Sequence, residues 1–268
     1  MDKSKLKQFF FEDPKLSPVD LQLENNRLQY YYFDTDLKIV TGKHEILNGC
    51  LLEGNCKVIF QDRSFKLDQF DLFFLPPNKE VIIHLKSKKE KRNKICLYFS
   101  HIKTPVTAEF ELQKFSLDKF LPRGEFGSER RMATYRTVWT AIQNGYFMSG
   151  FTNIPVKALR QGVVTSVNIE APSKNGKEIY PHIHPDFPEV YVFCIDDDKY
   201  AVTQYLIDEE GNSMCQDVTD GGGVFFPGNL GHMNFAKPFG KNIKYCMYLW
   251  YISTLGRTTN IIPKTLRI

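Results

Sequence analysis

The chain of 268 residues carries 35 basic and 31 acidic side chains, and hydrophobic residues make up 42% of it. This length permits one large domain or two small ones, and the composition is that of a globular protein. The formal net charge of +4 is too small to indicate a nucleic-acid-binding protein, so we expect no nucleic-acid partner.

Short strands separated by turns are predicted from about Arg27 onwards, after a mixed, proline-containing segment at 1–25. Phe, Tyr and β-branched residues, which favour sheets, are common in the apolar runs. Gly54 and the pair Pro76-Pro77 mark turns. The predicted strands of this half are at 28–41, 45–52, 56–61, 70–75, 80–85 and 94–100. Many short strands with such turns are typical of a sandwich or barrel.

The strongest basic run, at 86–94, lies between two of these apolar runs. We interpret it as a solvated hairpin loop. The alternative is an electrostatic funnel for an anionic substrate.

A break in the strand pattern at 101–135, rich in Pro, Gly and charge, predicts a connection between two domains. A short helix is predicted near 137–144. Strands resume in the second half, at 161–171, 189–195, 200–207, 223–227 and 243–252.

A short internal match suggests that the second half duplicates the first. Phe73-Phe74-Leu75-Pro76 parallels Phe225-Phe226-Pro227 when Pro76 is set on Pro227. In that register Val81 takes the place of His232, so one half keeps a histidine that the other lacks.

The apolar segments are all shorter than the roughly 18 residues of a membrane-spanning helix, and no secretory signal is recognisable at the N-terminus. We therefore expect a cytoplasmic protein with no membrane partner. The six cysteines form no CxxC pair, and most lie in apolar runs. We interpret them as reduced, mostly buried thiols.

The segment 180–193 contains the strongest indication of chemistry. His182 and His184 are two residues apart, so on a strand both imidazoles point to one face. Glu189 follows after a proline-bounded turn and shares a strand face with Tyr191 and Phe193. A lone His-x-His is as often structural as functional, and a strand glutamate often faces solvent.

His232 is the fourth candidate ligand, because it follows a Pro-Gly turn that suits two strands closing over one interior. Three imidazoles and one carboxylate suit Zn, Mn, Fe, Co or Ni better than Cu(I) or Ca. The remaining histidines, His44, His84 and His101, fall into no such pattern.

The spacing resembles the two motifs of the cupin superfamily. Its first motif matches Gly176, His182, His184 and Glu189, and its second matches Gly221, Pro227 and His232. Asp196 and Asn229 stand where the motifs usually have glycine, which affects turns and no ligand.

A finer resemblance is to the family of 5-keto-4-deoxyuronate isomerase and 5-deoxy-glucuronate isomerase. It rests on Ala171-Pro172, Glu189-Val-Tyr-x-Phe193, the acidic run 196–198, Arg136-Thr137-Val138 and Tyr248-Leu249-Trp250. It covers 100–268 well and 1–100 in outline.

This resemblance implies an all-β bicupin with two jelly-roll barrels: a degenerate, metal-free N-terminal cupin at 1–110, a connecting segment at 111–150 and a metal-binding cupin at 151–268. It implies a homo-oligomer with one divalent metal per chain, Zn first and Mn or Fe as alternatives, held by His182, His184, Glu189 and His232.

The implied activity is ketol isomerisation of a deoxy-keto-uronate through an enediolate. Glu189 is a candidate base, Arg136 a candidate partner for the substrate carboxylate, and Gln204 and Tyr248 candidate substrate contacts. Arg136 is equally a structural ion-pair residue, and Tyr248 a packing residue. The alternative functions are an Fe-dependent dioxygenase and a non-catalytic sugar-acid-binding cupin.

Overall fold

The structure, a computed structural model, describes residues 3–15, 18–85, 93–103, 107–117, 134–142, 145–153, 183, 188–236 and 244–253. Of residues 3, 134–142, 145–148, 152–153, 235–236 and 253 it describes only the backbone.

Within these ranges the chain is almost entirely strand. The elements preceding the break are α1 Lys3–Lys7, β1 Phe10–Phe11, β2 Val19–Leu23, β3 Asn26–Phe33, β4 Leu37–Val40, β5 Glu45–Glu53, β6 Cys56–Phe60, β7 Arg63–Leu67, β8 Leu72–Leu75, β9 Glu80–Leu85, β10 Asn93–His101 and β11 Glu111–Gln113. Those that follow are β12 Thr134–Ile142, β13 Gly145–Asn153, β14 Glu189–Ile195, β15 Ala201–Ile207, β16 Ser213–Thr219, β17 Gly223–Phe226, β18 Gly231–Ala236 and β19 Cys246–Ser253.

These strands form four antiparallel sheets in the described residues. The first half has a six-stranded sheet, β11-β8-β5-β10-β3-β2, and a four-stranded sheet, β4-β9-β6-β7. The second half has a six-stranded sheet, β1-β17-β14-β19-β13-β12, and a three-stranded sheet, β16-β15-β18. The strand order repeats between the halves, with β8, β5, β10, β3 and β2 corresponding to β17, β14, β19, β13 and β12.

The sheets stack in four layers with an apolar core in each gap. The N-terminal barrel core lies between its two sheets and includes Leu47 and Val81. The core between the two large sheets joins the halves and includes Tyr98 and Tyr251, whose rings stack with centroids 5.0 Å apart. The C-terminal barrel core includes Tyr191. The central strands β5, β10 and β14 of the large sheets are therefore buried on both faces.

The N-terminal segment packs on the C-terminal barrel. Phe10 and Phe11 pair with Val224 and Gly223 at the edge of β17. The ring of Phe11 fills the space beside Gly223, where a Cβ would lie 2.2 Å from it. This position therefore requires glycine.

The strand predictions are confirmed for most elements of both halves, and the all-β architecture with two similarly ordered halves is confirmed. The predicted strand at 28–41 is two strands, β3 and β4. The predicted helix near 137–144 is wrong, because 134–142 forms β12, a run rich in β-branched and aromatic residues. The predicted strand at 161–171 lies outside the described residues.

The prediction that 86–94 is a hairpin loop is also wrong. β9 and β10 on either side of it belong to different sheets, so these two strands do not pair as a hairpin. Residues 86–92 themselves lie outside the described residues. The domain boundaries at 110 and 150 stay a prediction.

Candidate metal centre

Glu189 begins β14, a central strand of the C-terminal large sheet, and its side chain is only 2% exposed. Tyr191 and Phe193 extend from the same side of the strand into the barrel core, while Val190 and Val192 face the core between the large sheets. The predicted shared face of Glu189, Tyr191 and Phe193 is thus confirmed, and it is the barrel interior. A carboxylate buried this deeply is costly unless a cation or hydrogen-bond donors compensate it.

His232, the second residue of β18, is 1% exposed. The Nδ1 atom lies 3.2 Å from the carbonyl oxygen of Leu230, to which a protonated Nδ1 donates. The Phe226 ring stacks on the imidazole with centroids 4.1 Å apart. The contact at Nδ1 leaves Nε2 with its lone pair, and a backbone carbonyl bound in this way is the common outer partner of a metal-binding histidine.

Tyr191 connects these two residues. Its hydroxyl oxygen lies 3.3 Å from Nε2 of His232. Burial, followed by the negative charge of Glu189, raises the pKa of Tyr191 well above its usual value, and hydrogen bonds with Tyr248 and Glu189 raise it further. The carboxylate and the imidazole therefore approach one buried hydroxyl from different strands.

The other predicted catalytic residues lie on neighbouring strands. Tyr248 on β19 stacks on Tyr191 with ring centroids 4.1 Å apart, so it joins the cluster. Gln204 on β15 is fully buried and lies two residues before Leu206, which pairs with His232. Arg136 lies on β12 opposite Gly150, and its side chain lies outside the described part.

His182 and His184 lie outside the described residues. Ile183 between them is 52% exposed, and its Cγ1 atom lies 3.6 Å from the position that a Cβ on Gly231 would occupy. Ile183 is therefore beside the residue that precedes His232. Among described residues no three His, Cys, Asp or Glu side chains form a metal-binding group, and two of the four predicted ligands are not among these residues.

The two donor groups at this site, a carboxylate and an imidazole, are of chemical types that bind divalent cations. Glu189 offers a buried carboxylate, and His232 offers a neutral imidazole whose Nδ1 faces a carbonyl. Nitrogen and oxygen donors of this kind suit Zn, Mn or Fe(II).

The N-terminal barrel has apolar residues at every corresponding position of this cluster. With Pro76 set on Pro227, the strand registers align Leu47 with Glu189 and Gly49 with Tyr191. The Phe73 ring fills the space beside Gly49, where a Cβ would lie 2.1 Å from it.

The same registers give three further correspondences. They align Val58 with Gln204, Val81 with His232 and Ile95 with Tyr248. Val58, Val81 and Ile95 are fully buried in the N-terminal core. The polar residues thus occur together in one barrel and are replaced together in the other.

Tyr191 and Phe226 also belong to the cluster, although neither was predicted to have a role in the site. The place of Tyr191 in the site could have been predicted from its position two residues after Glu189, because residues two apart on a strand share a face. The stacking of Phe226 on His232 depends on the turn between β17 and β18, which the sequence pattern does not determine.

Solved structures resemble this chain over most of its length. An IolB-like protein from Salmonella typhimurium LT2 matches with a TM-score of 0.55 at 10% identity, covering 93% of this chain and 94% of that one. AerE from Microcystis aeruginosa matches with a TM-score of 0.53 at 13% identity, covering 91% and 98%. Oxalate decarboxylase from Bacillus subtilis matches with a TM-score of 0.52 at 12% identity, covering 92% and 77%.

The chain has the cupin fold. Its neighbours include cupin and bicupin proteins, and at these identities the likeness concerns the fold alone. No protein-family model and no curated protein sequence matches the chain. None of the described helices has the length and apolar character needed to cross a bilayer.

Proposed function

We propose that the C-terminal barrel binds one divalent metal ion through His182, His184, Glu189 and His232, with Zn²⁺ first and Mn²⁺ or Fe²⁺ as alternatives. The observation that carries this proposal is the approach of Glu189 and His232, from separate strands, to the hydroxyl of Tyr191. The position of Ile183 beside Gly231 supports the addition of the flanking histidines to this set.

The proposed activity is that of a sugar-acid ketol-isomerase, an intramolecular oxidoreductase acting on a deoxy-keto-uronate such as 5-keto-4-deoxyuronate. The motif resemblance supports this activity, and the full-length likeness to the IolB-like protein supports the architecture. When bound, the metal would polarise the substrate carbonyl and so acidify the neighbouring C–H bond.

The chain's own groups would orient the substrate and move the proton. Glu189 is the buried carboxylate of this cluster, so it is a candidate base as well as a ligand. Tyr191 would orient Glu189 by hydrogen bonding, and Tyr248 supports Tyr191 by stacking. A metal ion on Nε2 of His232 would replace the hydroxyl contact there. Arg136 would bind the substrate carboxylate as a bidentate partner.

The proposed setting is the cytoplasm, with a small sugar acid as the partner and a homo-oligomer as the assembly. All six cysteines are free in the structure, and five of them are buried, with Cys215 exposed. Free thiols agree with a reducing compartment.

The test combines metal analysis with an assay. Protein purified without chelators should contain close to one divalent metal per chain, and should isomerise 5-keto-4-deoxyuronate in an assay coupled to a reductase. Turnover of 5-deoxy-glucuronate instead would change the substrate and keep the reaction type. Oxygen uptake without isomerisation would replace the proposal with a dioxygenase, and metal binding without turnover would replace it with a binding protein.

A further inference from the structure

Gln204, near the candidate metal centre, has a fully buried side-chain amide of which only the N–H half is hydrogen-bonded. Its side chain is 0% exposed. The Nε2 atom donates to the carbonyl oxygens of Met233 at 2.6 Å and Tyr205 at 3.1 Å. The Oε1 atom is buried and has no hydrogen-bond partner there.

These two contacts fix the orientation of the amide. A reversed amide would place Oε1 against two carbonyl oxygens, which are acceptors only. Both N–H groups are therefore committed to the backbone, and Oε1 is left as an acceptor that cannot become a donor.

The strand register places this acceptor in the C-terminal barrel interior. Gln204 lies between Val202 and Leu206 in chain position, and both of these residues pack in that core. Leu206 is paired with His232, and Gln204 is paired with Asn234. Diagonal neighbours of this kind are close enough for long side chains to share one ligand.

The corresponding position of the N-terminal barrel shows that the fold does not need an amide there. Val58 occupies it and is fully buried. The N-terminal barrel lacks the candidate metal ligands and also lacks this amide. The buried amide therefore occurs only in the barrel that has the candidate metal centre.

We propose that Oε1 of Gln204 accepts a hydrogen bond from a hydroxyl group of the ligand bound at the metal centre. This inference rests on the proposed function and deepens it. A fixed acceptor favours hydroxyl-bearing acids and disfavours ligands that present only acceptors at that point, such as 2-oxo acids or oxalate, because two acceptors would face each other in a buried site.

The experiment compares L-lactate with pyruvate, which share a carbon skeleton and charge and differ in the group at C2. Binding of each to the Zn²⁺-loaded protein is measured by titration calorimetry. The lactate-to-pyruvate affinity ratio is then compared with the ratio for aqueous Zn²⁺ in the same buffer, which removes their intrinsic difference in chelation.

We expect the protein to raise this ratio about tenfold above that of the free ion. Gln204→Met should return it to within about twofold of the free ion, with Gln204→Leu as a second apolar variant. Gln216→Met is the matched control, since Gln216 is paired with Gln204 but lies one strand farther from His232. It should keep the wild-type ratio.

A wild-type ratio equal to that of the free ion overturns the inference without any variant, and so does an unchanged ratio in a folded, zinc-loaded Gln204→Met protein. Failure of the wild-type protein to bind zinc at all overturns the metal centre, and with it this inference. Zinc binding with no lactate preference removes only the role of Gln204.

Discussion

The hydroxyl oxygen of Tyr191 lies 3.3 Å from Nε2 of His232. Tyr191 is on a strand of the large sheet and His232 on a strand of the small one, so this contact crosses the barrel interior. Because Glu189 also hydrogen-bonds Tyr191, one hydroxyl lies against two candidate ligands that are 43 residues apart in the sequence.

Tyr191→Phe should leave a folded protein with a weakened metal centre. The ring still stacks on Tyr248, but the hydrogen bond that orients the candidate ligand Glu189 is lost. The hydroxyl contact at Nε2 of His232 is lost as well, but a bound metal would replace that contact in the wild type. Outer partners of metal ligands typically contribute about 10–100-fold to metal affinity or activity, and we expect a loss in this range. Chelator competition with Zn²⁺ and the isomerase assay measure it.

The control for this variant is Tyr205→Phe. Tyr205 is buried on the same barrel but packs with Met233 in a separate small cluster, away from Tyr191. The Tyr205→Phe protein should bind zinc with the affinity of the wild type. Wild-type zinc affinity and turnover in Tyr191→Phe would contradict the role given to its hydroxyl.

His232→Ala should abolish metal retention and activity while the protein stays folded, because the large core around Phe226 remains. Val81→Ala, at the corresponding position of the N-terminal barrel, should keep the metal and lose about 1–3 kcal/mol of stability through a cavity. Metal analysis by mass spectrometry and urea denaturation separate the two effects. Metal loss in both variants would show that the loss reflects general destabilisation.

His182→Ala is expected to behave like His232→Ala. Equal metal content in His182→Ala and wild type would remove the His-x-His pair from the ligand set.

The strand faces were predictable from the sequence, because the two-residue period of a strand fixes which side chains share a side. Glu189, Tyr191 and Phe193 illustrate this. The correspondence between positions of the two halves was predictable in part. Setting Pro76 on Pro227 in the sequence also sets Val81 on His232.

Contacts that depend on three-dimensional packing were not predictable. The two-residue strand β1 has no periodicity, and its place at the edge of β17 depends on the fit of Phe11 over Gly223. The assignment of β9 and β10 to different sheets could likewise not be predicted from a pattern that only marks strands and loops. The half-satisfied amide of Gln204 depends on two backbone carbonyls that the sequence does not position.

Phe70 provides a test of packing between the halves. Its ring contacts Phe115, Phe151 and Tyr245 with centroids 5.2–5.3 Å away, and its φ of 68° lies in the left-handed region. Phe70→Ala should cost about 3–5 kcal/mol of the free energy of unfolding through the lost ring. Phe70→Gly should be more stable than Phe70→Ala by up to about 1 kcal/mol, because glycine adopts this φ without strain.

Phe74 is the matched control for the backbone argument, since it is buried in the same core on a regular strand. There Phe74→Gly should be less stable than Phe74→Ala, the reverse of the order at Phe70. Urea denaturation of the four variants gives both differences. The same order at both positions would contradict the strain assigned to Phe70.

Glu45 makes the stability of the N-terminal barrel depend on pH. Its carboxylate accepts hydrogen bonds from Arg27 at 3.0 Å and from the N–H of Gly42 at 3.1 Å. Burial by itself raises the pKa of Glu45, but these hydrogen bonds and the Arg27 charge outweigh it and lower the pKa below its usual value.

The pKa of Glu45 is lower in the folded state than in the unfolded state. Between these two pKa values the folded state therefore binds fewer protons than the unfolded state. The stabilisation is therefore complete above the unfolded pKa and is lost as the pH falls through the folded pKa. For a partly exposed ion pair we expect this stabilisation to be up to about 1 kcal/mol.

Glu45→Gln should accordingly be less stable than wild type at neutral pH, and the gap in stability should close in the acid range of carboxyl titration. Urea denaturation of both proteins over a pH series measures the gap, and a gap that is constant with pH would show that the carboxylate charge makes no contribution.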